Sequence, residues 1–186
     1  MANEVDKKSL ISGAFMLIIN TGNGKGKTTA AIGQMIRALG HGQKVCFIQL
    51  FKGAVFYGEQ KVLENLKNLD FYSFAPKHPY CFRDTKPETA TMQCAKAMAK
   101  LEAVAKGKKK YDLIVLDEFN IALREGYIGL KVLLEVLNRF DSKINIIITG
   151  RKAPKALLAK ADLITEMKAV RHPYNKGIKA AAGIEY

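Results

Sequence analysis

The stretch Gly22-Asn23-Gly24-Lys25-Gly26-Lys27-Thr28, followed by Thr29, combines glycine, lysine and hydroxyl side chains at a spacing suited to a polyphosphate. Glycines let backbone N–H groups converge on phosphate oxygens, because they enter the required backbone conformations freely. A helix starting at this point adds unpaired N–H donors and a partial positive charge. Lys27 can place a point charge on the outer phosphates, and the Thr28 hydroxyl can hold Mg²⁺. The pattern G-x-x-x-x-G-K-[ST] needs its first glycine at position 21, where this chain has Thr21. Gly22 comes one residue late, and Lys25 adds a second cation within the loop. These residues predict binding of a nucleoside triphosphate.

A second group of chemically capable residues follows the apolar run Leu113-Ile114-Val115-Leu116, which ends in Asp117-Glu118. In phosphate-loop proteins an acid at such a strand end lies beside Mg²⁺. In a hydrolase Glu118 would position the attacking water; in a group transferase it would serve as a metal ligand only. Thr149-Gly150-Arg151 ends another apolar run. There Arg151 either reaches phosphate or base with its planar fork or is a surface residue opening the next helix. His41, His78 and His172 have no metal-ligand spacing.

These groups need a scaffold that brings strand ends together. Apolar, β-prone runs cover Phe15–Asn20, Lys44–Phe51, Asp70–Phe74, Leu113–Asp117, Asn145–Thr149 and Leu163–Met167. Helical patterns cover Thr28–Leu39, Glu59–Asn68, Glu88–Lys106, Leu130–Phe140 and Pro154–Ala161. Ile32, Met35, Ile36 and Leu39 form one helical stripe; Ala90, Cys94, Ala97, Met98, Leu101 and Val104 form another. Continuous apolar strands imply burial on both faces, so the expectation is an α/β fold, a mainly parallel sheet with helices on both sides. Ligands then gather at the carboxyl ends of the strands, where all three groups fall.

At 186 residues the chain suits one domain, 1–186. Its net charge of +13 favours anionic partners, whether nucleotides, phosphorylated cofactors or nucleic acid. Cys46, Cys81 and Cys94 form no disulfide framework and no zinc spacing. No signal peptide or membrane span is visible, so a cytoplasmic location and no membrane partner are expected. Residues 1–13 read as a flexible segment, 75–86 as an ordered loop, and 169–186 as a glycine- and base-rich tail near the site.

In order along the chain stand Gly22 to Ala31, Arg37-Ala38, Gly40-His41-Gly42, Gln49 and Lys52-Gly53. Leu116-Asp117-Glu118-Phe119-Asn120-Ile121-Ala122-Leu123, Thr149-Gly150-Arg151 and Ala161-Asp162-Leu163-Ile164-Thr165-Glu166-Met167 follow. Val170-Arg171-His172-Pro173, Gly177-Ile178-Lys179-Ala180 and Gly183-Ile184-Glu185-Tyr186 close the chain. From about Gly22 to Tyr186 the chain resembles the P-loop ATP:cob(I)alamin (corrinoid) adenosyltransferases, whose loop also departs at the first glycine. The resemblance implies a RecA-like fold and attack by a cobalt(I) corrinoid on the 5′ carbon of ATP, with triphosphate leaving. It implies that the triphosphate lies in the loop in the reverse sense to most P-loop enzymes. It places Thr28 and Glu118 at the metal, beside Asp117, with Lys27 and Glu118 as the catalytic pair and Arg151 at the nucleotide. A homodimer, a flavodoxin-type or other reductase as electron donor, and an N-terminal segment covering a site are further implications.

One feature departs from the family. Its Gly-Phe-Thr-Trp stretch, whose aromatics shape the corrinoid side, has no counterpart in a chain without tryptophan. Here the sequence reads His78-Pro79-Tyr80-Cys81-Phe82. Tyr80 and Phe82 either fill the space beneath the corrinoid ring or anchor the loop. Two alternatives therefore stand beside the transferase. A RecA-like ATPase on nucleic acid would use the positive charge and Glu118, although no aromatic-interleaved basic stripe is present. A regulator that binds ATP and corrinoid without turnover would fit the altered aromatic pair.

Overall fold

A computed structural model describes residues 14–53, 57–75, 77, 86–172, 176–184 and 186. Six parallel strands form one sheet: β1 (Ala14–Thr21), β2 (Val45–Leu50), β3 (Leu69–Phe74), β4 (Leu113–Asp117), β5 (Ile144–Thr149) and β6 (Leu163–Glu166). Their spatial order is β3-β2-β4-β5-β1-β6. The helices are α1 (Lys27–Gly40), α2 (Gly58–Leu63), α3 (Pro87–Lys106), α4 (Phe119–Arg124), α5 (Leu130–Leu137) and α6 (Lys155–Leu158). The arrangement is the α/β, RecA-like fold expected from the sequence. Ile18 pairs with Ile147, and Val115 pairs with both Phe47 and Ile147, so the carboxyl ends of β1, β2, β4 and β5 lie side by side.

Strand alternation divides the apolar residues between two cores. On one face Val45, Phe47, Leu113, Val115 and Ile147 pack with Ala31, Met35 and Ala38 of α1. On the other, Cys46, Ile48, Ile114, Leu116, Ile146 and Ile148 pack with Cys94, Ala97 and Leu101 of α3 and with Leu133 and Leu137 of α5. Every residue of β2 and β4 is buried, which explains why both are apolar apart from Gln49 and Asp117 near their carboxyl ends.

Several expectations need correction. The α1 stripe is centred on Ala31, Met35 and Ala38, while Ile36 is 45% exposed. Small alanines at the contact let the helix lie close to the sheet, which turns the bulkier isoleucine outward. The α3 stripe falls where its sequence puts it, with Ala90, Cys94, Ala97 and Leu101 buried. Helices α2, α5 and α6 end earlier than their polar-apolar patterns suggest. α4 starts directly after Glu118, within the stretch read only as the end of a strand. Tyr80 and Phe82, like Met1 to Gly13, lie outside the described residues.

Candidate functional site

The loop leaves β1 at Thr21 and enters α1 at Lys27. Gly22 has φ +96°, and a Cβ there would lie 2.3 Å from the Met167 carbonyl oxygen. The loop is thus pressed against the chain leaving β6. Gly24 N–H donates to Met167 O at 2.7 Å, and Met167 N–H donates to Thr21 O at 2.9 Å. Gly26 is the N-cap of α1 and offers no side-chain oxygen to the first turn. The leading N–H groups of α1 therefore stay available to an anion. Lys27 is 6% exposed, with Nζ donating to Gly24 O at 2.6 Å across the loop. Burial lowers its pKa, and the charge of Glu118 opposes that shift.

Asp117, at the end of β4, is fully buried. Its Oδ1 accepts from Thr149 Oγ1 at 2.6 Å and from Thr28 Oγ1 at 2.9 Å. Its Oδ2 accepts from Gln49 Nε2 at 2.9 Å and lies 3.2 Å from Lys52 Nζ. A carboxylate has about four lone-pair sites, so Asp117 is saturated. Gln49 is held in turn by Gln60 of α2, whose Nε2 donates to Gln49 Oε1 at 2.6 Å.

Glu118 adopts a left-handed backbone conformation, φ +63°, uncommon for a residue with a side chain. Its N–H donates to Thr149 Oγ1 at 3.0 Å, which anchors this strained turn. Glu118 Oε2 is sealed from solvent and has no hydrogen-bond partner among the described residues. Burial, reinforced by the Asp117 charge, pushes its carboxyl up to about 7. Gly150 makes room for it: a Cβ there would lie 2.9 Å from Asn120 Cβ and 3.1 Å from Glu118 Oε2. Arg151 follows, exposed on the rim.

Beside these residues lies a cavity of about 700 Å³. Its lining includes Gly24, Lys25, Gly26, Lys27, Thr28 and Thr29 from the loop, together with Lys52, Glu118 and Arg151. Tyr57 and Glu59 from around the start of α2, and His172, Gly183, Ile184 and Tyr186 from the tail, complete it. The structure thus brings the predicted loop, Glu118 and Arg151 to one cavity, with Asp117 directly beneath Thr28. Gly22 and Asn23 belong to the same loop but are not among the cavity residues. The donor set suits a hard divalent cation: the Thr28 hydroxyl and the Glu118 carboxylate, whose buried Oε2 is unpartnered among the described residues, belong to the same cavity.

Sequence reasoning placed Gln49 and Lys52 in the family pattern without a role at the site, and it missed Gln60 and the positioning role of Thr149. A signal existed for two of them. Gln49 is the polar residue in an otherwise apolar strand, and Lys52 follows that strand's carboxyl end. Gln60 sits on a short helix whose pattern gives no hint of its inward direction.

No described helix is long and apolar enough to cross a membrane. The family model described as "ATP:corrinoid adenosyltransferase BtuR/CobO/CobP" matches residues 14–186. A corrinoid adenosyltransferase from Sinorhizobium sp is 34% identical over 189 residues, covering 100% of this chain and 84% of the relative. Corrinoid adenosyltransferases from Pseudomonas aeruginosa and Escherichia coli K12 are each 34% identical, over 92% of this chain and 83% and 85% of their own lengths. Among solved structures, the flagellar accessory protein FlaH from Methanocaldococcus jannaschii aligns with a TM-score of 0.55 at 16% identity. That alignment covers 83% of this chain and 71% of FlaH, and it shows likeness of fold.

Proposed function

The chain belongs to the ATP:corrinoid adenosyltransferase family, and we propose the following division of labour among its residues. The protein is an enzyme that transfers the 5′-deoxyadenosyl group of ATP to the cobalt(I) of a corrinoid and releases triphosphate. Cobalt supplies the electron pair for the new bond to C5′, and the bond from C5′ to the triphosphate oxygen breaks with its electrons. The nucleophile belongs to the substrate, so the protein needs no general base. Its task is orientation and stabilisation of charge on the leaving group.

The single observation that carries this reading is the convergence of the loop, Lys27, Thr28 and Glu118 on one cavity. The triphosphate is held by the N–H groups of Lys25 to Thr29, with Lys25, Lys27 and Arg151 supplying positive charge. Lys27, already drawn inward to Gly24 O, needs little rearrangement to meet an anion seated in the loop. Mg²⁺, held by Thr28 and Glu118, supplies further charge neutralisation when bound. Asp117 acts beneath them as the group that orients the Thr28 hydroxyl.

Tyr80 and Phe82 would face the corrinoid, and the tail residues Ile184 and Tyr186 would close the cavity around the adenosyl end. A cobalt(I) substrate requires a reducing compartment and an electron donor, so a cytoplasmic enzyme served by a flavodoxin-type or other reductase follows. Buried free Cys46 and Cys94 accord with that setting. By kinship the working form is a homodimer.

Anaerobic incubation with MgATP and a chemically reduced corrinoid should yield a light-sensitive carbon–cobalt product in the visible spectrum. Lys27→Ala should lower the rate at least about a hundredfold, the scale of losing one preorganised charge-stabilising donor. A variant with undiminished rate would remove the loop from the mechanism.

A further inference from the structure

Lys52 follows β2 and is 9% exposed, an unusual place for a lysine. Its Nζ donates to Thr28 Oγ1 at 2.6 Å and lies 3.2 Å from Asp117 Oδ2. The ammonium therefore sits on the hydroxyl that would hold the metal and on the carboxylate that orients it. Thr28 Oγ1 spends its proton on Asp117 Oδ1, so Lys52 takes one of its two lone pairs. A divalent cation bound to the same oxygen at about 2.1 Å would stand within a few ångströms of Nζ. Two cations sharing one hydroxyl repel strongly in a buried site.

A second seat lies within reach. Glu59 Oε1 is 3.9 Å from Nζ, and the Tyr57 ring centroid is 5.3 Å away. Both residues line the same cavity. The four-carbon lysine stem turns readily between such positions. We infer that Lys52 occupies the divalent-cation position as a built-in counter-ion, keeps Thr28 and Asp117 aligned, and swings towards Glu59 and Tyr57 when the metal enters. Lys52 is thus a positioning residue, and its movement couples metal entry to the start of α2. The inference rests on placing the metal at Thr28 and Glu118.

The test is Mn²⁺ binding without nucleotide, followed by the paramagnetic resonance of the free ion, in the wild type and in Lys52→Met. Removing the competing charge should tighten Mn²⁺ binding by about tenfold or more. The melting temperature of Lys52→Met should fall in EDTA and recover with Mn²⁺. A folded variant with unchanged or weaker Mn²⁺ affinity overturns the inference. In the wild type, reductive methylation of Lys52 read by mass spectrometry should accelerate several-fold when Mn²⁺ is added. An unchanged labelling rate at saturating Mn²⁺ also overturns it, and this measurement decides if the variant does not fold. Failure of Mn²⁺ to bind the wild type, even with triphosphate present, would instead remove the metal placement itself.

Discussion

Asp117 accepts from Thr28, Thr149 and Gln49 and pairs with Lys52, and that saturation defines what each neighbour can do. Glu118, one residue later, points an unpartnered oxygen into a sealed space. Adjacent carboxylates thus have opposite environments, one fully satisfied and one with an unpartnered buried oxygen. The pairing of types was visible in the sequence as Asp117-Glu118, and so was the phosphate loop. The difference between the two acids was not, because it depends on Gln49, Lys52 and Thr149, which come from other strand ends. Gly22 carries a prediction at this scale. Its positive φ and its approach to Met167 O leave no room for a side chain. Gly22→Ala should destabilise the protein by about 1–3 kcal/mol and weaken ATP binding, measured by urea unfolding and nucleotide titration. Wild-type stability in that variant would show that the loop does not need this close contact.

Among the elements, the six strands were legible to within a few residues, because buried parallel strands announce themselves as unbroken apolar runs. Helix ends were less legible. α2, α5 and α6 stop at the C-cap residues Glu64, Asn138 and Ala159, so no glycine marks where they end. α4 was hidden because the strand-to-helix turn rests on the left-handed Glu118, a conformation that no turn residue signals. The edge strand β3 depends on charged contacts that its sequence does not reveal. Asp70 Oδ2 accepts from the Tyr111 hydroxyl and from Lys109 Nζ, at 2.6 Å for the lysine. Burial alone would raise the Asp70 pKa, but these hydrogen bonds hold it below its ordinary 3.8. A lowered folded value means that the stabilisation is present above the unfolded pKa and is lost as pH falls through the folded one. Asp70→Asn should therefore cost about 1 kcal/mol near pH 7, a modest figure because Lys109 is half exposed. The difference from wild type should shrink as pH drops below 3.8. A gap that stays constant from pH 7 to pH 3 would mean that ionised Asp70 contributes nothing.

At the scale of the whole molecule, the order β3-β2-β4-β5-β1-β6 gathers groups separated by more than a hundred residues, Lys27 and Arg151 among them, at the carboxyl ends of the strands. The excess of positive charge fits a protein whose ligand carries a triphosphate, and Lys25, Lys27, Lys52 and Arg151 all line the same cavity. His172, Ile184 and Tyr186 from the tail are also among the residues lining that cavity. What the molecule as a whole does to ATP is decided by which bond breaks. If the loop holds a leaving group, cleavage falls between C5′ and the oxygen that it bears. If the loop holds a phosphoryl group in transit, cleavage falls between phosphates. Phosphorus NMR of the products formed from MgATP and reduced corrinoid separates the two. The prediction is intact triphosphate in equal amount to the adenosylated corrinoid; ADP with orthophosphate, and no triphosphate, would contradict it.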